Sequence, residues 1–118
     1  MDSLVCVLPI LPGKQEEWRR FCQVLQGSRR CQYEESRQRL GITKELAWLH
    51  APLQAPQGEV VIICLEVEHP EQVLPQLAAS NLPFDRWFRQ QLLELHGLDV
   101  TQAPPGPANE LVFVWQKS

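Results

Sequence analysis

Four polar residues, Arg29, Gln32, Tyr33 and Ser36, fall at i, i+3, i+4 and i+7. On a helix that spacing puts them on one face. Together they suit orientation of a small anionic or aromatic molecule. An arginine grips a carboxylate through two parallel hydrogen bonds, and a tyrosine hydroxyl donates a hydrogen bond or acts as a weak acid. An aromatic residue such as Trp48 would complete the site. Two plainer readings compete. This stretch of helix stands clear of the core with its polar face solvated, or its arginines are tied into an internal network with Glu34 or Glu35.

The remaining reactive side chains form no compact constellation. Cys6, Cys22, Cys31 and Cys64 make no C-x-x-C pair and read as small buried hydrophobes plus one exposed thiol. Zinc needs clustered ligands, and His50, His69 and His96 are far from the cysteines in sequence. No metal site and no cofactor are expected. Glu34 and Glu35 are adjacent and so point apart on a helix. There is no G-x-S-x-G, H-E-x-x-H, phosphate loop or EF-hand pattern.

Composition narrows the class. The chain of 118 residues is 44% hydrophobic and 21% charged, the size and balance of one domain, 1–118, with a real core. A net charge of −3 argues against nonspecific nucleic-acid binding, which needs a basic footprint. No apolar run approaches the length of a membrane span, and Met1-Asp2-Ser3 carries no basic region of a secretory signal. The expected location is cytoplasmic.

The elements that would position these residues are separated by glycine and proline. Leu4 to Leu8 reads as a strand, stopped by Pro9, Pro12 and Gly13. A helix follows from Lys14, with Trp18, Phe21, Cys22 and Leu25 on one apolar face. Gly27-Ser28 leaves open whether it ends, bends or continues to about Arg39, before Gly41. Glu45 to His50 is a second strand, with Leu46 and Trp48 on one side and Ala47 and Leu49 on the other. The proline-containing loop Ala51–Gly58 leads to the strongest strand signal, Glu59 to Glu68. Six of its first seven residues are apolar, so it must be covered on both sides. Pro70 opens a helix that Pro75 is expected to distort or cut short. A further helix starts at Pro83, with Phe84, Trp87, Phe88, Leu92 and Leu95 on one face, an exposed Asp85–Arg89 pair, and Gly97 as its stop. An irregular connector, Thr101–Asn109, precedes a last strand, Leu111 to Gln116.

That order predicts an α+β, ferredoxin-like β-α-β-β-α-β fold with an antiparallel sheet in the order 4-1-3-2 and helices on one face. Val61, Ile63, Leu65 and Val67 would face the helices. Val60, Ile62 and Cys64 would face away, on an apolar surface too large for a monomer to expose. A homodimer packed sheet to sheet is expected. Burying ~600 Å² of apolar surface per chain would favour association by roughly 15 kcal/mol before entropic costs. The competing expectation is that the connector or the last segment folds back over the sheet.

The strand ending in "LPGK" before a helix, the central "EVVIICLEVEHPEQ" and the order of elements resemble the dimeric α/β-barrel superfamily, which includes small antibiotic-biosynthesis-type monooxygenases. The runs "RR…YEESR…LGI" and "SNLPFDRWFRQQL" make the chain most similar, within that group, to an uncharacterised bacterial family. The resemblance implies a dimeric barrel with a ligand held between helices and sheet. That would place a small molecule against Arg29, Gln32, Tyr33, Ser36 and Trp48. It also implies an alternative, a cofactor-independent monooxygenase-like or isomerase-like enzyme. A structural assembly partner is the third reading. Haem-degrading members use a helical histidine. Here the helices offer only His96, beside Gly97, where it suits capping rather than iron ligation.

Overall fold

The computed structural model describes residues 2–50, 58–102 and 110–117. The protein is α+β, with a three-stranded antiparallel sheet and four helices. Strand β1 (Asp2–Pro9) leads into helix α1 (Gln15–Gln26), helix α2 (Arg30–Arg39), strand β2 (Ile42–His50) and strand β3 (Val60–Val67). Helix α3 (Pro70–Ala79), helix α4 (Pro83–His96) and a 3-10 turn (Val100–Gln102) follow. The sheet order is β1-β3-β2, so β3, the most apolar strand, is central.

The helices cover one face. Val61, Leu65 and Val67 of β3 are buried in one cluster with Trp18, Phe21 and Leu25 of α1, Val73 and Leu77 of α3, and Phe84, Phe88, Leu92 and Leu95 of α4. Strand pairing sets Leu4, Cys6 and Leu8 beside these β3 residues and Val5 and Val7 on the opposite face. Each fully buried aliphatic side chain contributes about 1.5–3 kcal/mol.

Four expectations are corrected. The first concerns the sheet: Leu111 to Gln116 forms no strand and pairs with none, and Leu111–Trp115 are exposed. A β-branched and aromatic run has the propensity for a strand, but propensity alone does not place a segment in a sheet. The second is α3, which runs ten residues straight through Pro75. Burial of Val73 and Leu77 on either side outweighs the lost backbone bond of about 3 kcal/mol. In the third, Asp85 is buried and bonded to Arg39, rather than exposed and paired with Arg89. The fourth concerns Trp48 and is taken up with the site. The loop at 51–57 and the connector at 103–109 lie outside the described residues.

The open question at Gly27 resolves as a break. Val24 O accepts from both Gly27 N (3.2 Å) and Arg29 N (3.0 Å), which closes α1 before α2 begins. Left-handed glycines end two of the other three helices: Gly41 (φ +71°) after α2 and Gly97 (φ +69°) after α4. At the second, Gly97 N bonds Leu93 O at 2.9 Å and Leu98 N bonds Leu92 O at 3.3 Å.

Candidate functional site

Helix α2 brings Arg29, Gln32, Tyr33 and Ser36 to one side, but they do not surround a space. Arg29, at the helix N-cap, lays its guanidinium over Trp87 of α4 at 4.2 Å and donates to Gln32 Oε1 at 3.1 Å. Tyr33 packs against Phe84 and Phe88, with ring centres 6.4 and 5.9 Å away. Ser36 is fully buried. The Phe84 and Phe88 rings lie directly against Tyr33.

Glu45 and Arg37 complete the cluster. The Tyr33 hydroxyl donates to Glu45 Oε1, and Arg37 Nη1 approaches the same oxygen at 3.5 Å. The Arg37 guanidinium lies over the Tyr33 ring at 4.4 Å and near the Phe88 ring at 5.2 Å. Its Nε is buried with no partner among the described residues. An internal arginine–glutamate network does exist, but on Glu45. Glu34 instead pairs with Arg30 on the exposed surface, and Glu35 is exposed. Arg37 was findable from spacing, since Tyr33, Ser36, Arg37 and Leu40 form their own i, i+3, i+4, i+7 stripe.

A bulge in β2 decides where Glu45 and Trp48 point. Ile42 pairs with Val67 and Lys44 with Glu66, leaving Thr43 as an extra residue. Ile42 is buried on the helix side, so unbroken alternation would turn Lys44, Leu46 and Trp48 inward. The extra residue reverses that parity. Glu45 therefore meets Tyr33 beneath the helices, while Trp48 goes to the uncovered face with Leu46. Trp48 is thus not part of the α2 cluster.

The electrostatics match a structural cluster. Burial pushes the Tyr33 phenol far above its ordinary value. Arg37 pulls the other way and Glu45 adds to the rise. Tyr33 is a fixed hydrogen-bond donor at ordinary pH. Burial, reinforced by Glu45, also raises the Cys6 and Cys22 thiols, so neither is poised as a thiolate. Among the described residues no three His, Cys, Asp or Glu side chains gather as metal ligands would.

Two open clefts lie away from Tyr33. One of about 230 Å³ is lined by Arg86, Arg89, Gln90, Asp99 and Thr101. Arg89 there is already engaged, donating to Leu77 O and Ser80 O at 2.7 Å each. The other, about 170 Å³, lies between α1 and α4 and is lined by Glu17, Arg20, Phe21, Val24, Trp87 and Gln91.

The uncovered face of the sheet is the larger feature. Cross-strand pairing aligns Val5, Cys64 and Leu46 in one row and Val7, Ile62 and Trp48 in the next. Val60 shares that face, bordered by Lys44, Glu66 and His50. Trp48 is 51% exposed and Val7 54%, with Val5 and Leu46 close behind. Among the described residues no helix is long and apolar enough to cross a membrane. Comparison of the chain with protein-family models, curated proteins and solved structures finds no match.

Proposed function

We propose that the protein is an assembly module that pairs with a second copy of itself through the open face of its sheet, in a ferredoxin-like, dimeric-barrel arrangement. The observation that carries this is the apolar patch of Val5, Val7, Leu46, Trp48, Val60, Ile62 and Cys64 on the side the helices leave bare. The patch exposes on the order of 500 Å² of apolar surface per copy, near the upper range for the largest patch on a monomer. At about 25 cal/mol per Å² its burial is worth roughly 12 kcal/mol per copy before association costs. The engagement of Tyr33 by Phe84, Phe88 and Glu45 supports assembly over a ligand enclosed between helices and sheet. Sedimentation at micromolar concentration tests the proposal. A mass of twice the chain is expected for the native protein and of one chain for Trp48→Asp. A native monomer refutes the reading.

A second reading keeps a small-molecule role but moves its place. The guanidinium of Arg29 stacks on Trp87, and Trp87 lines the α1–α4 cleft together with Arg20 and Phe21. Arginine beside an aromatic wall fits a small aromatic carboxylate. Thermal-shift screening with such acids, with Arg29→Ala as the control, is the measurement. Hits that stabilise the control equally remove Arg29 from the site.

A further inference from the structure

Neither reading uses the larger of the two clefts. Helix α4 supplies one of its walls: Arg86, Arg89, Gln90 and Leu93 recur at i, i+3, i+4 and i+7, a single stripe of the helix. The 3-10 turn and the residue before it supply the other wall, with Asp99, Val100 and Thr101. None of these residues belongs to the sheet, so the cleft stands apart from the open sheet face.

The charges in this cleft are held in place but not paired with one another. Arg89 Nη1 donates to Leu77 O and Ser80 O at 2.7 Å each, which fixes the guanidinium at the end of α3. Its Nε and Nη2 have no partner among the described residues and are not shut off from solvent. That Nε–Nη2 edge is one that takes a carboxylate through two parallel hydrogen bonds. Arg86, one turn earlier, is exposed, and its side chain has no hydrogen bond or ion pair among the described residues. On the opposite wall Asp99 Oδ1 accepts from Thr101 N at 3.0 Å and from the Thr101 hydroxyl, which orients the carboxylate and leaves Oδ2 over. No ion pair joins Asp99 to either arginine.

We infer that this cleft binds a small aliphatic α-amino acid, with its carboxylate on Arg89 and Arg86 and its ammonium on Asp99. Two cations against one anion favour a ligand that carries a carboxylate. Asp99 repels a dianion such as phosphate and gives an ammonium its acceptor. An α-amino acid carries both groups on one carbon, so it bridges two walls that do not bridge each other. The size agrees: the cleft holds about 230 Å³, below the roughly 300–1,000 Å³ of sites for drug-sized ligands. Leu93, 43% exposed, gives an aliphatic side chain an apolar surface to lie on.

The experiment titrates the full chain with L-valine and follows backbone amide shifts by NMR. Isovalerate, which lacks the ammonium, isobutylamine, which lacks the carboxylate, and inorganic phosphate are the comparison probes. Saturable shifts at Leu93, Asp99 and Thr101 are expected with L-valine. Each comparison probe should bind about tenfold more weakly or worse, the factor that a lost charged hydrogen bond carries. Two variants test the walls without disturbing the fold. Arg86→Gln alters an exposed side chain. Asp99→Asn keeps the oxygen that accepts from Thr101 and removes the charge. Each should weaken L-valine by about tenfold or more while the remaining amide shifts stay native. Absence of saturable shifts with L-valine overturns the proposal. So does isovalerate or phosphate binding as tightly as L-valine, which would make the cleft a plain anion site. Unchanged affinity in both variants also overturns it, by moving the bound molecule elsewhere.

Discussion

The two faces of β3 carry the same kinds of residue and meet opposite fates. On one side Val61, Leu65 and Val67 are almost completely buried, at 1%, 5% and 0% exposure. On the other, Val60, Ile62 and Cys64 are only partly buried. The covered side is also where polar groups are matched. Tyr33 has Glu45, Asp85 has Arg39 and Ser80, and His96 has the Pro9 carbonyl. Most buried polar groups have partners; Arg37 Nε is the exception among the described residues. The open side has a row of aliphatic and aromatic residues with a charged border. One side is a finished core, and the other is the apolar surface proposed above to pair with a second copy.

The sharpest way to break that comparison is to place one charge on each side. Val61→Asp buries a carboxylate with no cation to meet it. The cost exceeds the 5–15 kcal/mol typical of a whole domain's stability or approaches it, so this variant is expected to unfold. Ile62→Asp, one residue away, is expected to keep its far-ultraviolet circular dichroism and a cooperative melt while sedimenting as a single chain. Two variants that unfold alike would show that the open face is needed for folding itself. Two that both remain dimeric would place the contact elsewhere.

Much of this division was legible in the sequence, and the exceptions have physical causes. The continuous apolar run at Val60–Leu65 announced a strand needing cover on both sides, and Gly58 and Pro70 marked its limits. The helix period placed Tyr33 and Ser36 on the inner face of α2. Local pattern could not show the bulge at Thr43, because one extra residue leaves no trace in residue type yet reverses every side chain after it. Trp48 therefore falls outside the α2 cluster and Glu45 within it. Asp85 and Arg89 stand four apart and read as an exposed pair. Arg39, 46 residues away in sequence, takes Asp85 instead, and Arg89 turns to the last carbonyls of α3. Leu111–Gln116 shows the reverse limit: propensity reports what a segment can become, and does not by itself say that it pairs.

A smaller effect sharpens the covered side. Tyr33→Phe keeps the ring contacts with Phe84 and Phe88 and removes the donor to Glu45. A loss of about 1–3 kcal/mol in urea unfolding is expected. Mutation of Trp48, on the open side, should cost the isolated monomer little. The phenol also sets an alkaline limit. Its pKa is raised in the folded chain, so its contribution is complete below the unfolded value of about 10 and declines as pH rises beyond it. Native protein titrated to pH ~11 should show the tyrosinate absorbance only together with unfolding. A reversible rise in absorbance with the melt unchanged would mean that Tyr33 is open to solvent.

The smallest expected effect lies at the seam where the covered side is tied to β1. His96 ends α4 with its ring buried, and its Nδ1 lies 2.7 Å from Pro9 O. The neighbouring Leu11 N donates to Leu95 O at 2.9 Å, so two bonds fasten the end of the helix to the turn after β1. A neutral ring with its proton on Nδ1 satisfies the carbonyl, and protonation of the second nitrogen puts a charge where burial opposes it. Burial lowers the His96 pKa, and the Pro9 carbonyl offsets only part of that. The unfolded chain therefore takes up the proton first. The stabilisation is complete above the unfolded pKa of about 6.5 and is lost as pH falls from there through the lowered folded value. His96 is therefore expected to contribute a fall in stability as pH drops below about 6.5. Replacing it by Gln, which can still donate to Pro9, should flatten the fall in urea midpoint across that range. An unchanged slope would assign the pH dependence to another group and leave the seam held by Leu11 alone.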